Sequence, residues 1–222
     1  MAMDGLLLFT ITKQLQTYCP CKLNKIQNLQ YDREDEEIVF QLHTKNEGTV
    51  RLVCNVHSNT NRIYITQKTE TSQSQPTNFV MVLRKQCAQC IIESIEQIHY
   101  DRVLCLHLQC RNELGDYTNN KLYVECMGKY ANMILVNQEG IIIDALKRIP
   151  VYENAKRTIH PGATYILPKQ VKKVNPTEVT KVDMDTSLVD QIYGFSPLLS
   201  KEFQYRMANG QTYQDILKEL LN

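Results

Sequence analysis

The cysteines are the residues whose types and spacing most directly suggest chemistry, because thiolates bind zinc and exchange disulfides. Cys19 and Cys21 are separated by one residue, and Cys87 and Cys90 by two. Structural zinc sites usually use two pairs with two to four intervening residues, and the first pair departs from that spacing. The second pair lacks the βαβ surroundings of a thioredoxin-like redox motif. We therefore expect no metal and no other cofactor, with a four-thiolate zinc site left as the alternative.

The other chemistry-bearing residues form no catalytic pattern. The five histidines, at 43, 57, 99, 107 and 160, make no H-E-x-x-H motif, and the sequence has no glycine-rich phosphate loop. We therefore expect a protein that is not an enzyme. Eight cysteines in a chain without a secretion signal are expected to be reduced, and Cys54, Cys105 and Cys126 stand inside apolar strand patterns that would bury them.

Asp101 and Arg102 interrupt the segment 97–110 (QIHYDRVLCLHLQC), whose composition is otherwise typical of one β-strand. Alternation along that strand puts Arg102 at the start of its more apolar face. A guanidinium there is costly unless it has a partner. One alternative is an ion pair at the rim of the sheet, worth only about 0–1 kcal/mol. The other is a site for an anionic ligand, and the residues alone leave both open.

The elements that position these residues indicate an α+β fold. An amphipathic helix is predicted from about Asp4 to Tyr18, and a second helix over 79–90 begins after a cap at Thr77 or Asn78. Period-two patterns predict antiparallel strands at 22–30, 36–44, 48–57, 62–67, 97–110 and 121–128, and a pair over 132–149 that turns at 137–140. We expect antiparallel sheets closed into a sandwich or barrel, flanked by the two helices.

The character of the chain changes after residue 170. We predict one domain over 1–170, a linker over 171–185, and a helical segment over 186–222. Three short helices are predicted in this last part, with caps at Asp185 or Thr186, at Ser196 followed by Pro197, and at Thr212. A segment of this size buries little surface alone, so we expect it to dock on the first domain or to be the truncated start of a larger module.

The overall charge does not indicate a nucleic-acid partner, since the 222 residues carry a formal net charge of +1. Residues 144–173, however, hold seven Lys or Arg and only two acidic residues. This stretch either attracts phosphate or forms a solvated surface balanced by the acidic segment 31–37. The apolar run at 6–11 is too short for a signal peptide or a membrane span, so we expect a cytoplasmic protein with no membrane partner.

Six segments follow one another over nearly the whole chain: MDGLLLFTITKQL, FVMVLRKQ, IESIEQIHYDRVLCLHLQCRNELGD, LYVECMGKYANMILVNQEGIIIDALKRI, HPGATYILP and GFSPLLSKE. Together they resemble the N-terminal part of the NFACT family, which includes bacterial RqcH and eukaryotic NEMF and was formerly labelled fibronectin-binding protein. The resemblance implies a first domain similar in fold to the N-terminal domain of formamidopyrimidine-DNA glycosylase, followed by the start of a helical HhH-like module. Ala2 and Met3 stand where that glycosylase has its catalytic proline and glutamate, so a non-catalytic nucleic-acid-binding relative of DNA glycosylases is one alternative.

What the resemblance implies about function is a role in ribosome-associated quality control. Members of the family bind large ribosomal subunits obstructed by peptidyl-tRNA and recruit charged tRNA for tail addition without mRNA, and bacterial members add alanine. The expected partners are therefore tRNA, in particular alanine tRNA, and the large ribosomal subunit. Subunit binding is expected to depend mainly on C-terminal regions of the longer family members. The old family label leaves a cell-surface adhesin that binds fibronectin as the alternative.

The resemblance also implies which residues contact tRNA. Asp101 and Arg102 match the family's Asp-Arg pair, and Glu125 and Met127 match its Glu-x-Met segment. Cys126 stands between them, where the family usually has Ile.

Basic residues extend this candidate site. A hairpin register with residue 110 opposite residue 121 would put Arg102 opposite Lys129 and Glu125 opposite Leu106, which adds Lys129 to the tRNA-binding residues. The candidates for contact with the RNA backbone are Arg84, Lys85, Arg111, Lys147, Arg148, Lys156 and Arg157.

Overall fold

The computed structural model describes residues 3–29, 36–68, 75–111, 114–150, 152–153, 157–169 and 171–221. Its strands are β1 (Cys21–Leu29), β2 (Glu37–Thr44), β3 (Gly48–Asn55), β4 (Arg62–Thr66), β5 (Ile91–Gln97), β6 (Val103–Arg111), β7 (Tyr117–Glu125), β8 (Asn132–Val136) and β9 (Ile142–Ala145). Its helices are α1 (Gly5–Tyr18), α2 (Asn78–Cys87), α3 (Leu188–Gln191), α4 (Pro197–Ala208) and α5 (Tyr213–Leu221). The predicted α+β class, with an antiparallel sheet and two flanking helices, is confirmed.

The nine strands form one antiparallel sheet in the order β4-β3-β2-β1-β5-β6-β7-β8-β9. Every neighbouring pair follows the chain except β1 and β5, which share only the residue pairs Cys21–Ile92 and Lys22–Ile91. One apolar core takes side chains from both halves of the sheet and from α1 and α2. The sheet therefore folds around this core, and α1 and α2 pack on it.

Local sequence explains where α1 and α2 begin. The Asp4 carboxylate accepts a hydrogen bond of 2.8 Å from the Leu7 amide, and the Thr77 hydroxyl accepts one of 3.3 Å from the Val80 amide. Both side chains satisfy amide groups that the first turn of a helix leaves without a partner. The predicted start of each helix is thus confirmed.

The last three helices dock on the first part of the chain, as one of the two alternatives predicted. Leu6 of α1 belongs to a second apolar cluster with residues of α3, α4 and α5. Ser196 with Pro197 begins α4, and the Thr212 hydroxyl accepts a hydrogen bond from the Asp215 amide at the start of α5, as predicted.

The predicted cap of α3 is wrong by one or two positions. Ser187 caps α3 through the Val189 amide. Asp185 and Thr186 belong instead to the preceding turn, where both donate hydrogen bonds to the Asp183 carboxylate.

The segment predicted as a linker packs against these helices. Pro176 and Val179 are buried, and Val174 makes an isolated parallel bridge with Ile192. The limits 1–170, 171–185 and 186–222 remain predictions.

The expectation that all cysteines are reduced is wrong for one pair, because Cys90 and Cys110 form a disulfide. Cys90 precedes β5 and Cys110 lies near the end of β6, so antiparallel pairing brings their Cα atoms to 4.4 Å. The spacing of cysteines along the sequence does not predict this pair, because the two residues are 20 positions apart. Cys54, Cys105 and Cys126 are free and buried, as predicted.

No helix in the described ranges combines the length and the apolar character needed to cross a membrane.

Candidate functional site

The segment 97–110 is not the single strand that was predicted. It begins at the last residue of β5, passes through a turn and continues into β6. β5 ends at Gln97, and β6 begins at Val103. In the turn, the Asp101 amide donates to the Ile98 carbonyl at 2.9 Å, and His99 and Tyr100 have φ of 50° and 55°. Two central residues with positive φ are typical of a type I′ turn, which normally has Asn-Gly. The sequence gives no signal of this turn because its two central residues are His and Tyr, and not the usual Asn-Gly.

Contacts with the rest of the molecule hold the turn in its unfavourable conformation. The Gln97 side-chain amide donates to the Asp101 carbonyl at 2.8 Å and to the Gly5 carbonyl at 2.7 Å. Residues with positive φ cost about 1–3 kcal/mol each and persist where surrounding structure imposes them. Such strain is often kept at functional sites, which directs attention to Asp101 and Arg102.

Gly5 lies against the turn at a distance that leaves no room for a side chain. Its amide donates to the Gly194 carbonyl at 2.9 Å. A Cβ at Gly5 would lie 2.1 Å from the Tyr100 carbonyl oxygen and 2.5 Å from the Gly194 Cα. The start of α1, the turn 98–102 and the segment before α4 therefore meet backbone to backbone.

Gly5→Ala is expected to destabilise the fold by about 1–3 kcal/mol, the usual cost of overpacking. Alanine is a better helix former than glycine by about 1 kcal/mol, but the clashing atoms belong to the backbone and cannot rotate away. Thermal unfolding measures the change. Leu7→Ala, at a half-exposed position of the same helix, is the control, and equal melting of the two variants would contradict the tight contact at Gly5.

Asp101 and Arg102 do not form the rim ion pair that the sequence left open. One carboxylate oxygen of Asp101 accepts a hydrogen bond of 2.7 Å from the Arg102 backbone amide. Within the described ranges, no residue makes a hydrogen bond or ion pair with the Arg102 guanidinium. Asp101 thus stabilises the turn, and the Arg102 side chain is available to a ligand.

Arg102 lines a cavity of about 370 Å³ at the junction of the three segments. The charged residues around it are Asp4, Asp101, Arg102, Lys169 and Lys173, and Met127 lies on its wall. Both acids are engaged by the protein: Asp4 caps α1 and accepts from the Ser196 hydroxyl at 3.4 Å, and Asp101 holds its turn. The cavity therefore presents more positive than negative charge to a ligand.

Two helices also begin at this cavity. Its wall includes Asp4 and Gly5 at the start of α1, and Ser196 and Pro197 at the start of α4. The N-terminal end of a helix carries a partial positive charge and favours anions. The two helix ends add to the field of Arg102 and the lysines.

Glu125 lies outside the cavity, in a buried network. Its side chain is fully buried, and it receives a bidentate contact from the Arg157 guanidinium and a hydrogen bond of 2.8 Å from the Tyr165 hydroxyl. Burial, followed by the Glu125 carboxylate, raises the pKa of Tyr165, which therefore stays protonated and donates. Glu125 holds the end of β7 in place.

The hairpin register predicted for β6 and β7 is wrong. Cys110 pairs with Thr118, and Glu125 pairs with Val103, because the connecting loop is shorter than assumed. Arg102 therefore lies beside Cys126, whose amide donates to the Arg102 carbonyl at 2.8 Å, and not opposite Lys129. The true register brings the two sequence motifs closer together than the predicted one.

The basic residues predicted to contact RNA are dispersed, and most are engaged elsewhere. Lys129 is exposed and lies over the Tyr130 ring, 5.0 Å from its centroid, outside the lining of the cavity. Arg84 donates to the Ile26 carbonyl, Arg111 to the Tyr117 hydroxyl, Lys147 to the Val56 carbonyl and Glu36, Arg148 to Asp144, and Arg157 to Glu125. Lys85 is exposed, and Lys156 lies outside the described residues.

Lys169 and Lys173 line the cavity, but the sequence did not predict them as site residues. Both belong to the basic stretch 144–173, but charge density alone did not separate them from the other lysines. They reach the cavity because the segment before α3 packs back onto α1. The Gly-Phe-Ser-Pro sequence at 194–197 was the available signal, since it also lies on the cavity wall.

Comparison of the sequence with known protein families identifies one that matches nearly the whole chain. Residues 4–222 match the family of NFACT N-terminal and middle domains. The chain is 33% identical to the Rqc2 homolog RqcH of Bacillus subtilis, over 99% of this chain and 40% of that protein. It is 35% identical to the Rqc2 homolog RqcH of Streptococcus pneumoniae D39, over 79% of this chain and 31% of that protein. The chain thus spans about two fifths or less of these relatives.

Solved structures share the fold. The N-terminal domain of the fibronectin-binding protein PavA from Streptococcus pneumoniae matches with a TM-score of 0.83 and 30% identity, over 94% of this chain and 84% of that one. The N-terminal part of the fibronectin/fibrinogen-binding protein from Streptococcus suis matches with a TM-score of 0.86 and 28% identity, over 98% and 85%.

Proposed function

We propose, from the premise that this chain belongs to the NFACT family, that the cavity at Arg102 binds tRNA in ribosome-associated quality control. The observation that carries the proposal is the Arg102 guanidinium, which has no partner among the described residues and lines a cavity with Lys169 and Lys173. A guanidinium binds phosphate in a fork of two hydrogen bonds, and the lysines add charge along a backbone. The polyanion expected for a protein of this family is tRNA.

The motif residues take different roles in this proposal. Arg102 contacts a phosphate, and Met127 supplies an apolar surface beside it for a base or a ribose. Asp101 and Glu125 act as positioning residues, because their carboxylates hold the turn and the end of β7. This division explains why acidic residues accompany a site for an anion.

The whole protein that carries such a module is proposed to bind obstructed large ribosomal subunits and to recruit alanyl-tRNA for tail addition without mRNA. The tRNA-binding cavity lies between the proposed domain 1–170 and the proposed helical segment 186–222. Binding to the subunit is proposed to depend mainly on the C-terminal regions of the longer family members. No catalytic residue is assigned, because the proposed role is recruitment and positioning.

Arg102→Ala is expected to weaken tRNA binding by about 1–3 kcal/mol, the usual scale for one good bidentate contact. The melting temperature should stay within the range of a surface substitution, because the guanidinium holds nothing in the described part of the protein. Fluorescence anisotropy with labelled tRNA, at several salt concentrations, measures both the loss and a salt slope reduced by about one.

Lys45→Ala is the matched control for charge. Lys45 lies in the exposed turn between β2 and β3, and the neighbouring Glu47 accepts a hydrogen bond from Tyr18 at the far end of α1 from the cavity. A helix of 14 residues is about 20 Å long, so the control removes one positive charge well away from the site. If Lys45→Ala weakens binding as much as Arg102→Ala, the cavity is not the binding site.

An adhesive role is the second candidate, and the observation favouring it is that the solved structural neighbours are named for fibronectin or fibrinogen. Cell fractionation separates the two functions. A pool that sediments with large ribosomal subunits supports the tRNA-binding role, and a protein found only at the cell surface supports adhesion.

A further inference from the structure

A second cluster of chemistry-bearing side chains lies on the β5–β6 hairpin, apart from the tRNA cavity. Glu96 of β5 pairs directly with Cys105 of β6, and His107 follows on the same face two residues along. The His107 Nε2 atom lies 2.8 Å from a Glu96 carboxylate oxygen and 3.7 Å from the Cys105 sulfur. All three donor atoms lie within 4.8 Å of one another.

We propose that Glu96, Cys105 and His107 form a zinc site with three protein ligands and a fourth position open to solvent. One oxygen, one nitrogen and one sulfur donor form a set that suits zinc among the common divalent metals. Tetrahedral zinc, with bonds of about 2.0–2.3 Å, needs S···N and N···O separations of about 3.6 Å and 3.4 Å. The observed S···N distance already fits.

The N···O separation has to widen by about half an ångström to reach the tetrahedral value. Glu96 permits this movement because its side chain is 51% exposed and rotates freely at its end. Cys105 is buried, and the His107 side chain is 28% exposed, so the other two ligands are held more firmly by the paired strands. Two of the three ligands are therefore held in place by the sheet, and the third is accessible from solvent.

The same geometry argues against a cysteine–histidine catalytic arrangement. In a catalytic triad, the nucleophile and the carboxylate contact opposite nitrogens of the imidazole ring. Here the Glu96 carboxylate and the Cys105 sulfur both approach the Nε2 atom of His107. The approach of an oxygen donor and a sulfur donor to the same nitrogen is the geometry expected of metal ligands.

The surroundings of Cys105 disfavour a free thiolate, so the thiolate would form only together with a bound cation. Burial, with the Glu96 charge, raises the pKa of the Cys105 thiol to about 12, while Lys121 and a hydrogen bond with Tyr123 act in the opposite direction. A bound cation displaces the thiol proton and removes the cost of burying the negative charge. Tyr123 of β7 pairs with Cys105 of β6. Its hydrogen bond with the sulfur then orients this ligand, although Tyr123 does not itself bind the metal.

The buried cysteines Cys87, Cys90 and Cys110 form another group of close donor atoms. Two of them are joined in the disulfide, which leaves one free thiol and makes this group a poor zinc site. It is nevertheless the other group of residues that could bind zinc, so the test has to distinguish the two groups.

The test uses the 222-residue chain dialysed against micromolar free zinc, with bound metal measured by mass spectrometry. We expect one zinc ion per chain. Cobalt(II) in place of zinc should give the near-ultraviolet charge-transfer band of a thiolate ligand. Cys105→Ser should abolish that band and weaken binding by more than about 100-fold, since losing a ligand exceeds the 10–100-fold cost of losing its outer support.

Two further variants keep the test decisive if Cys105→Ser folds poorly. Glu96→Gln and His107→Gln change partly exposed side chains and should each weaken zinc binding at least about tenfold. Glu93→Gln is the matched control on the same exposed strand, where Glu93 accepts from the Gln109 side chain at 3.0 Å. Glu93→Gln and Cys87→Ser should both bind zinc normally. No zinc on the wild-type chain, or zinc retained by Glu96→Gln and His107→Gln or lost in Cys87→Ser, overturns the proposal.

Discussion

Arg157→Ala is expected to lower the free energy of unfolding by about 3–5 kcal/mol, because it leaves a buried carboxylate without its counter-ion. Glu125 is fully buried and the Arg157 side chain is only 17% exposed, so water cannot replace the lost contact. Among the residues that the structure describes, the Tyr165 hydroxyl alone would remain as a donor to Glu125. For a protein of this size, each kcal/mol corresponds to a shift of roughly 2–4 °C in the melting temperature.

Two variants test whether the cost arises from the unpaired charge. Arg111→Ala is the control, because Arg111 is exposed and contacts the exposed Tyr117, and it should change stability by no more than about 0.5 kcal/mol. The triple replacement Glu125→Leu, Arg157→Met and Tyr165→Phe removes the whole polar network and should recover most of the loss. If Arg157→Ala melts like the control, Glu125 is not held by this ion pair.

Tail addition is expected to be abolished by Arg102→Ala in a full-length NFACT protein that carries this segment. The reason follows from the proposed function: without the forked contact at the cavity, charged tRNA is not positioned on the obstructed subunit. Asp101→Ala should have the same result, because the Asp101 carboxylate holds the backbone amide of Arg102. Tails on a stalled reporter chain, resolved by gel electrophoresis, measure the outcome.

Subunit binding distinguishes this loss from general inactivation. Sedimentation with large ribosomal subunits should be unchanged in both variants, because that grip is proposed to lie in other regions. Arg102→Lys should restore tail addition only in part, since an ammonium group keeps the charge but cannot make a forked contact. Normal tailing by Arg102→Ala would refute the assigned role of Arg102.

The fold was largely predictable because its signals are local. The Asp4 cap, most of the alternating strands and the Ser196–Pro197 helix start depend on neighbouring residues, and the structure has them where the patterns indicated. The exception is β5 (Ile91–Gln97), which was not predicted. The turn at 98–102 was missed because tertiary contacts to Gly5, and not turn residues, impose its conformation. The register of β6 and β7 was predicted wrongly for a related reason, since register depends on loop length and on packing across the sheet.

The candidate site was predictable only in part. Resemblance pointed to Asp101, Arg102, Glu125 and Met127, but not to the difference between a side chain that lines the cavity and one that supports it. That difference depends on burial: Glu125 is enclosed, whereas Arg102 is partly exposed beside the cavity. Lys169 and Lys173 were missed, because their place at the site depends on how the end of the chain folds back.

The short junction between β1 and β5 bears on how the chain folds. Strands β1 to β4 and strands β5 to β9 each pair with their neighbours along the chain, so each half can form through short loop closures. The junction instead joins residues 21 and 92 through two residue pairs, which requires a long closure for few contacts. We therefore expect folding to consist of two fast local steps and one slower closure. The cavity, which needs α1, the β5–β6 turn and the last helices together, is completed only after that closure.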